Sequence, residues 1–261
     1  MRVEPTWLTL NRHEVPVRDL PAGFDGFRIV HLTDLHCGHH LPGHHVERAI
    51  ELAMEQKADL AVVTGDFVHK GHSHVGDAAE AVGRLRAPHG VYAVLGNHDF
   101  AVRNSLGYRR YPNLHAAIVG ALAANGVKVL RNEGVHLSRG HERLCLAGVD
   151  DLWSRACDLA SALDHLPADR PRVLLAHNPR TVEHLGSRRC DLVLSGHTHG
   201  GQINWPGVGR IGLGPKARRF ASGMYRHRDT HVYVNNGVGF GSVRFRFGVR
   251  PEVAVLTLRR G

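Results

Sequence analysis

Short apolar runs that end abruptly in polar clusters recur along this chain, and stretches of helical period separate several of them. FRIVHLT (27–33), ADLAVVT (58–64), VYAVL (91–95), RVLLAH (172–177), DLVLSGHTH (191–199), HVYVNN (231–236) and EVAVLTL (252–258) predict strands. Val46 to Gln56, with Ile50, Ala53 and Met54 on one face, predicts a helix. So do Asp77–Leu85 and LHAAIVGALAANG (114–126), the last closed by glycine. VKVL (127–130), VHLS (135–138) and LCLAGV (144–149) follow one another so closely that they predict a meander. Buried strands alternating with helices indicate a parallel or mixed sheet covered by helices, and the crowding of later strands indicates a second sheet packed on the first. Residues 1–26 read as an N-terminal strand or extension, and residues 200–230, rich in Gly, Pro and Arg, as a long ordered loop. No linker or repeat interrupts the pattern, so one domain over 1–261 is expected.

The polar clusters carry the chemistry. In open α/β sheets ligands gather beyond the carboxyl ends of the strands. Five such ends here offer Asp34 and His36, then Asp66, then Asn97 and His98, then His177, then His197 and His199. Asp34 and His36 stand two apart, as do His197 and His199, so an extended backbone would turn both members of each pair the same way. Gly65, Gly96 and Gly196 precede Asp66, Asn97 and His197, which suits sharp turns where backbone passes close to a site. Asp34, His36, Asp66, Asn97, His177, His197 and His199 make seven nitrogen and oxygen donors, more than the four that one zinc ion takes. Two ions sharing a carboxylate fit that number, and a metal pair roughly 3.5–4 Å apart is the usual apparatus of phosphoester hydrolysis. Imidazole with carboxylate suits Mn, Fe, Zn, Ni or Co alike.

Taken in order, DLH (34–36), GD (65–66), GNHD (96–99), His177 and GHTH (196–199) resemble the calcineurin-like metallophosphoesterase family over about Arg28 to His199. GHTHGGQ (196–202) and the closing FRFGVRPEVAVLTL (245–258) resemble one bacterial branch of it. That branch includes phosphodiesterases of the cell envelope and proteins similar to UDP-2,3-diacylglucosamine pyrophosphatases. The resemblance implies a four-layer αββα sandwich of two mixed β-sheets around two divalent metal ions (Mn, Fe or Zn). It implies Asp34, His36 and His199 on one ion, Asn97, His177 and His197 on the other, and Asp66 bridging them. It further implies in-line attack on phosphorus by a hydroxide bridging the ions, with His98 donating a proton to the leaving oxygen or stabilising the transition state. Many relatives read GDxxD, whereas GDFVHKG here has His69 at the place of the second Asp. Orientation of His98 must then come from another group, such as Asp99 or His69. The expected function is a metal-dependent phosphodiesterase or pyrophosphatase acting on a small or lipid-linked substrate. The alternatives are a nuclease or cyclic-nucleotide phosphodiesterase, and a non-catalytic scaffold of the same fold.

Composition adjusts this picture. The 33 Lys and Arg against 24 Asp and Glu give a net +9, which attracts phosphate, lipid headgroups or nucleic acid. The sequence has no aromatic-rich stacking platform or nucleic-acid module, which argues against a nucleic-acid partner. Four scattered cysteines form no CxxC pair and suit a reducing compartment. The charged N-terminal segment lacks the apolar region of a secretory signal, and no apolar run reaches about 18 residues. A cytoplasmic protein is expected, with peripheral contact to the inner membrane face left open. Arg103 and Arg109, in a Tyr- and Arg-rich segment after GNHD, and Gln202, beside the last donors, are the expected substrate-binding residues. Among the 22 histidines, His39, His40, His44 and His45 are expected mostly in solvent, and Cys37 is expected in the core.

Overall fold

A computed structural model describes residues 6–38, 43–102, 111–241 and 245–261. The strands are β1 (Thr9–Val17), β2 (Arg28–Leu32), β3 (Leu60–Thr64), β4 (Val91–Val94), β5 (Lys128–Val129), β6 (Glu133–Arg139), β7 (Glu142–Gly148), β8 (Arg172–Leu175), β9 (Leu192–Ser195), β10 (Ile203–Trp205), β11 (Gly209–Ile211), β12 (Gly223–His227), β13 (Thr230–Val234) and β14 (Glu252–Arg260). The helices are α1 (Gly43–Glu55), α2 (Val75–Gly83), α3 (Leu114–Ala124), α4 (Leu159–Leu163) and α5 (Pro215–Arg218).

Two six-stranded sheets result, ordered β1-β14-β2-β3-β4-β5 and β12-β13-β9-β8-β7-β6. Both are mixed. In the first, only the β14–β2 pairing is antiparallel. In the second, antiparallel strands β12 and β6 flank a parallel centre.

The two-residue period of a strand sorts the side chains into layers. Ile29, Leu60, Val62, Tyr92 and Val94 from the first sheet meet Leu144, Leu146, Val173, Leu175, Leu192 and Leu194 from the second. Their alternates Val30, Leu32, Ala61, Val63 and Ala93 face Ile50 of α1, Val82 of α2 and Ile118 of α3. Ala147, Leu174 and Val193 on the outer face of the second sheet face Ala162 and Leu163 of α4. The layers run helix, sheet, sheet, helix, as the resemblance implied.

Two expectations differ from the structure. The segment 127–149 is not a meander: β5 pairs in parallel with β4 in the first sheet, whereas β6 and β7 form a hairpin in the second. Residues 200–230 contain the β10–β11 hairpin, α5 and the edge strand β12. Their glycines conceal the period of strands only three to five residues long. Cys37 lies in the core as expected, but His45 is also buried, its Nε2 3.0 Å from the Val238 carbonyl. Among the described residues, no helix is long and apolar enough to cross a membrane.

His31, on β2, is fully buried, with its Nε2 2.8 Å from Thr64 Oγ1. Burial pulls its imidazole down to about 3, and the Asp34 charge offsets only part of that. The folded protein therefore keeps it neutral, while the unfolded chain takes up a proton near 6.5. The stability this contributes is complete above the unfolded value and is lost as pH falls toward the folded one. In thermal melts of metal-free protein, His31→Gln is expected to lose less Tm than the native chain between about pH 7 and pH 4.

Candidate metal centre

β2, β3 and β4 are neighbours in the first sheet, and β8 and β9 are neighbours in the second. The loops leaving their carboxyl ends carry all seven candidate donors. These loops are not extended. Asp34 (φ 53°), His36 (φ 47°), Asp66 (φ 56°), His197 (φ 71°) and His199 (φ 51°) are all left-handed. The expectation that alternation along an extended chain aims each pair therefore fails, because the backbone turns left-handed at both donors of each pair. Left-handed backbone is uncommon for residues with a side chain and concentrates at functional sites. Glycine is required next to these turns. A Cβ on Gly96 would strike the Asp66 carboxylate, and one on Gly196 would strike Asp34 Oδ2 and Thr33 Oγ1.

The donors meet in two groups. In one, His36 Nε2 and His199 Nε2 are 3.0 Å apart, and Asp34 Oδ1 lies 3.2 Å from His199 Nε2 and 3.7 Å from His36 Nε2. In the other, His197 Nδ1 lies 2.9 Å from Asn97 Oδ1 and 3.3 Å from His177 Nε2. Asp66 Oδ2 stands between the groups, 3.5 Å from His36 Nε2 and 3.3 Å from His177 Nε2.

Several other atoms of these side chains are held by the protein, as ligand-orienting contacts usually are. His177 Nδ1 lies 2.7 Å from the Thr64 carbonyl, an arrangement in which it donates and Nε2 faces the donor group. Asn97 Nδ2 donates to the Val102 carbonyl at 2.6 Å, which turns Oδ1 inward. Asp34 Oδ2 accepts from Thr33 Oγ1 at 2.8 Å and from the His197 amide at 3.0 Å. Asp66 Oδ1 accepts from the His98 amide at 2.9 Å.

Protonation suits cation binding. Burial pulls the His36 and His197 imidazoles down to about 3, so both offer neutral nitrogen. Burial opposes charge on Asp34 and Asp66, yet the surrounding histidines hold both well below the usual carboxylate range. Burial likewise opposes a proton on His177, but the Asp66 and Asp34 charges hold it above its ordinary value, so metal uptake there would displace a proton. Buried carboxylate oxygens facing imidazole nitrogens across 3.2–3.7 Å suit divalent cations.

His98 lies beside this set, its ring centroid 4.7 Å from that of His36 and 5.6 Å from that of His69. Its Nδ1 is 2.9 Å from the backbone carbonyl of His69. A main-chain oxygen, rather than the His69 ring or Asp99, orients it. Asp99 is fully buried and instead accepts the amides of Asp66, Phe67 and Gly96 at 2.8–2.9 Å, clamping two donor loops together. Burial and the Asp66 charge push its carboxyl up to about 8.

Arg103 and Arg109 lie outside the described residues, as do His39 and His40. Gln202 is buried beside the donors, and its side chain accepts from the Gly241 amide at 2.9 Å and donates to the Phe245 carbonyl at 3.0 Å. Two neighbours of the site were not among the expected site residues. Arg246, 1% exposed, donates to the carbonyls of Asn236, Gly237 and Gly239 at 2.6–3.1 Å, and its Nη2 lies 3.3 Å from His199 Nδ1. Burial pulls its guanidinium down to about 10. Asp151 accepts the Ser154 amide at 2.9 Å and fixes the turn that sets Trp153 edge-on against His197, with centroids 4.4 Å apart.

Known proteins resemble this chain in sequence and in fold. The chain is 32% identical over 261 residues to metallophosphoesterase YkuE of Bacillus subtilis strain 168, covering 98% of this chain and 87% of that protein. It is 32% identical over 258 residues to phosphodiesterase YaeI of Escherichia coli K12, covering 98% and 90%. The crystal structure of phosphopantetheinyl hydrolase from Mycobacterium tuberculosis shares the fold at a TM-score of 0.54 and 14% identity, covering 84% of this chain and 91% of that one. The family model for calcineurin-like phosphoesterases matches residues 27–201, a span that takes in every strand end described above. With donors, fold and family match all falling on the same loops, the chain belongs to the calcineurin-like phosphoesterase family.

Proposed function

We propose that this protein is a phosphodiesterase or pyrophosphatase that binds two divalent ions, with a small or lipid-linked substrate of the UDP-2,3-diacylglucosamine kind. The carrying observation is Asp66 Oδ2, which faces a histidine nitrogen of each donor group at 3.5 and 3.3 Å and so stands where a bridging carboxylate belongs. Asp34, His36 and His199 would hold one ion and Asn97, His177 and His197 the other. Divalent ions held there would supply Lewis acidity, lowering the pKa of water and offsetting phosphoryl charge. His98, oriented through Nδ1 by the His69 carbonyl, presents Nε2 to the leaving oxygen and protonates it. The 32% identical phosphodiesterase YaeI supports the diester preference. A lipid-linked substrate draws support from the β10–β11 hairpin that follows GHTHGGQ. Trp205, Val208 and Ile211 on it are 44%, 69% and 46% exposed, as suits peripheral contact with a lipid surface.

A substrate panel on protein reconstituted with Mn, Fe or Zn tests this reading. Its members are an aryl diester, an aryl monoester, UDP-diacylglucosamine and single-stranded DNA. Cleavage of the diester or the diphosphate is expected, abolished by chelator and restored by added ion. Cleavage of the monoester or DNA alone, or of nothing, would overturn it.

A further inference from the structure

A cleft of 470 Å³ opens beside the second donor group. His197 forms part of its wall, and Trp153, Pro179, Pro215, Ala217 and Phe220 form much of the rest. The volume falls within the range of small-molecule sites, about 300–1,000 Å³. These walls are held in place. The Asp151 turn fixes Trp153, and Phe220 is 2% exposed, with the ring of Tyr225 edge-on at 5.6 Å. Polar groups at the cleft already have partners within the protein. Thr198 Oγ1 donates to the Ala221 carbonyl at 2.6 Å, and Asn178 Oδ1 accepts the Arg180 amide at 3.0 Å. Arg180 Nε donates to Glu183 at 3.0 Å, a carboxylate that Arg219 also approaches at 3.8 Å. A cleft walled this way favours an apolar occupant over a second charged one.

Its place relative to His98 says which part of a substrate it would meet. His98 stands among His36 and His69, whereas the cleft opens beyond His197, whose ring neighbours are His177 and Trp153. On the phosphodiesterase reading, a diester whose leaving oxygen meets His98 would have its other ester group free to lie toward Trp153. We propose that the cleft binds an apolar ester group, aryl or alkyl, that stays on phosphorus through the reaction. The proposal rests on the phosphodiesterase reading above and adds the chemistry of the retained group.

Methyl, hexyl and phenyl 4-nitrophenyl phosphates share one leaving group and differ only in the retained ester. With metal-loaded protein, kcat/KM for the better of the hexyl and phenyl esters is expected to exceed that of the methyl ester at least roughly tenfold. Ala217→Phe, which fills the cleft from half-exposed α5, is expected to bring that ratio close to one. Isothermal calorimetry gives a readout independent of turnover: the native protein should bind phenylphosphonate at least roughly tenfold tighter than methylphosphonate, and the variant should not. A hexyl preference without a phenyl one identifies a chain as the occupant, and the reverse identifies a ring. Equal kcat/KM for all three esters, or a preference that survives Ala217→Phe, would overturn the proposal. Absence of any cleavage by the loaded protein would instead defeat the phosphodiesterase reading, and phosphonate binding would still judge the cleft.

Discussion

Asp66→Asn is expected to lower kcat/KM for an aryl diester by roughly a thousandfold or more, about 4 kcal/mol of transition-state stabilisation. The substitution keeps shape and leaves an oxygen that can still accept the His98 amide, as Asp66 Oδ1 does at 2.9 Å. It removes the charge from the oxygen that faces both donor groups. With the remaining oxygen on the His98 amide, an NH2 group that cannot coordinate faces both donor groups, so metal content by mass spectrometry should fall from two ions per chain to one or none. Folding should survive, because the amide keeps the shape of Asp66 and its bond from the His98 amide, although the loss of a charge that the neighbouring histidines favour should lower Tm. Circular dichroism of the metal-free variant should match the native chain. Activity within a few fold of native, with two ions retained, would refute the bridging role.

The second large effect separates acid catalysis from mere scaffolding. His98→Gln is expected to lower kcat by roughly 10²–10⁴ for diesters with an alkoxide leaving group. For 4-nitrophenolate, which departs without a proton, the loss should be far smaller. A group that only supported the metal loops would slow both substrates alike and would cost bound metal. His98 is placed to do otherwise: its side chain meets the His69 carbonyl, and its amide, which the substitution preserves, meets Asp66. Equal losses across leaving groups would reassign it to a positioning role.

The sequence carried the location of the site and much of the fold, for different physical reasons. Strands such as 58–64 are buried on both faces and read as continuous apolar runs, so their ends are easy to see, and the donors stand at those ends. The way the donors are aimed was not legible. Spacing of two suggested an extended pair, but Asp34, His36, His197 and His199 reach their targets through left-handed backbone that no side-chain pattern encodes. The same holds for the group that orients His98, a main-chain carbonyl of a residue whose side chain drew the attention. β5 is two residues long, and only its pairing with β4 assigns it to the first sheet rather than to the hairpin that follows. Asp99 and Arg246 stand in the GNHD and FRFGVRPEVAVLTL motifs, which do not say what either side chain touches. Their burial beside the donor loops comes from contacts with residues far along the chain, between Phe67 and Asp99 and between His199 and Arg246.

Anomalous diffraction from crystals grown with Mn or Zn tests the dinuclear centre most directly. Two peaks roughly 3.5–4 Å apart are expected, one bounded by Asp34, His36 and His199, the other by Asn97, His177 and His197, with Asp66 reaching both. A single peak at full occupancy, or metal bound away from these side chains, would contradict the account.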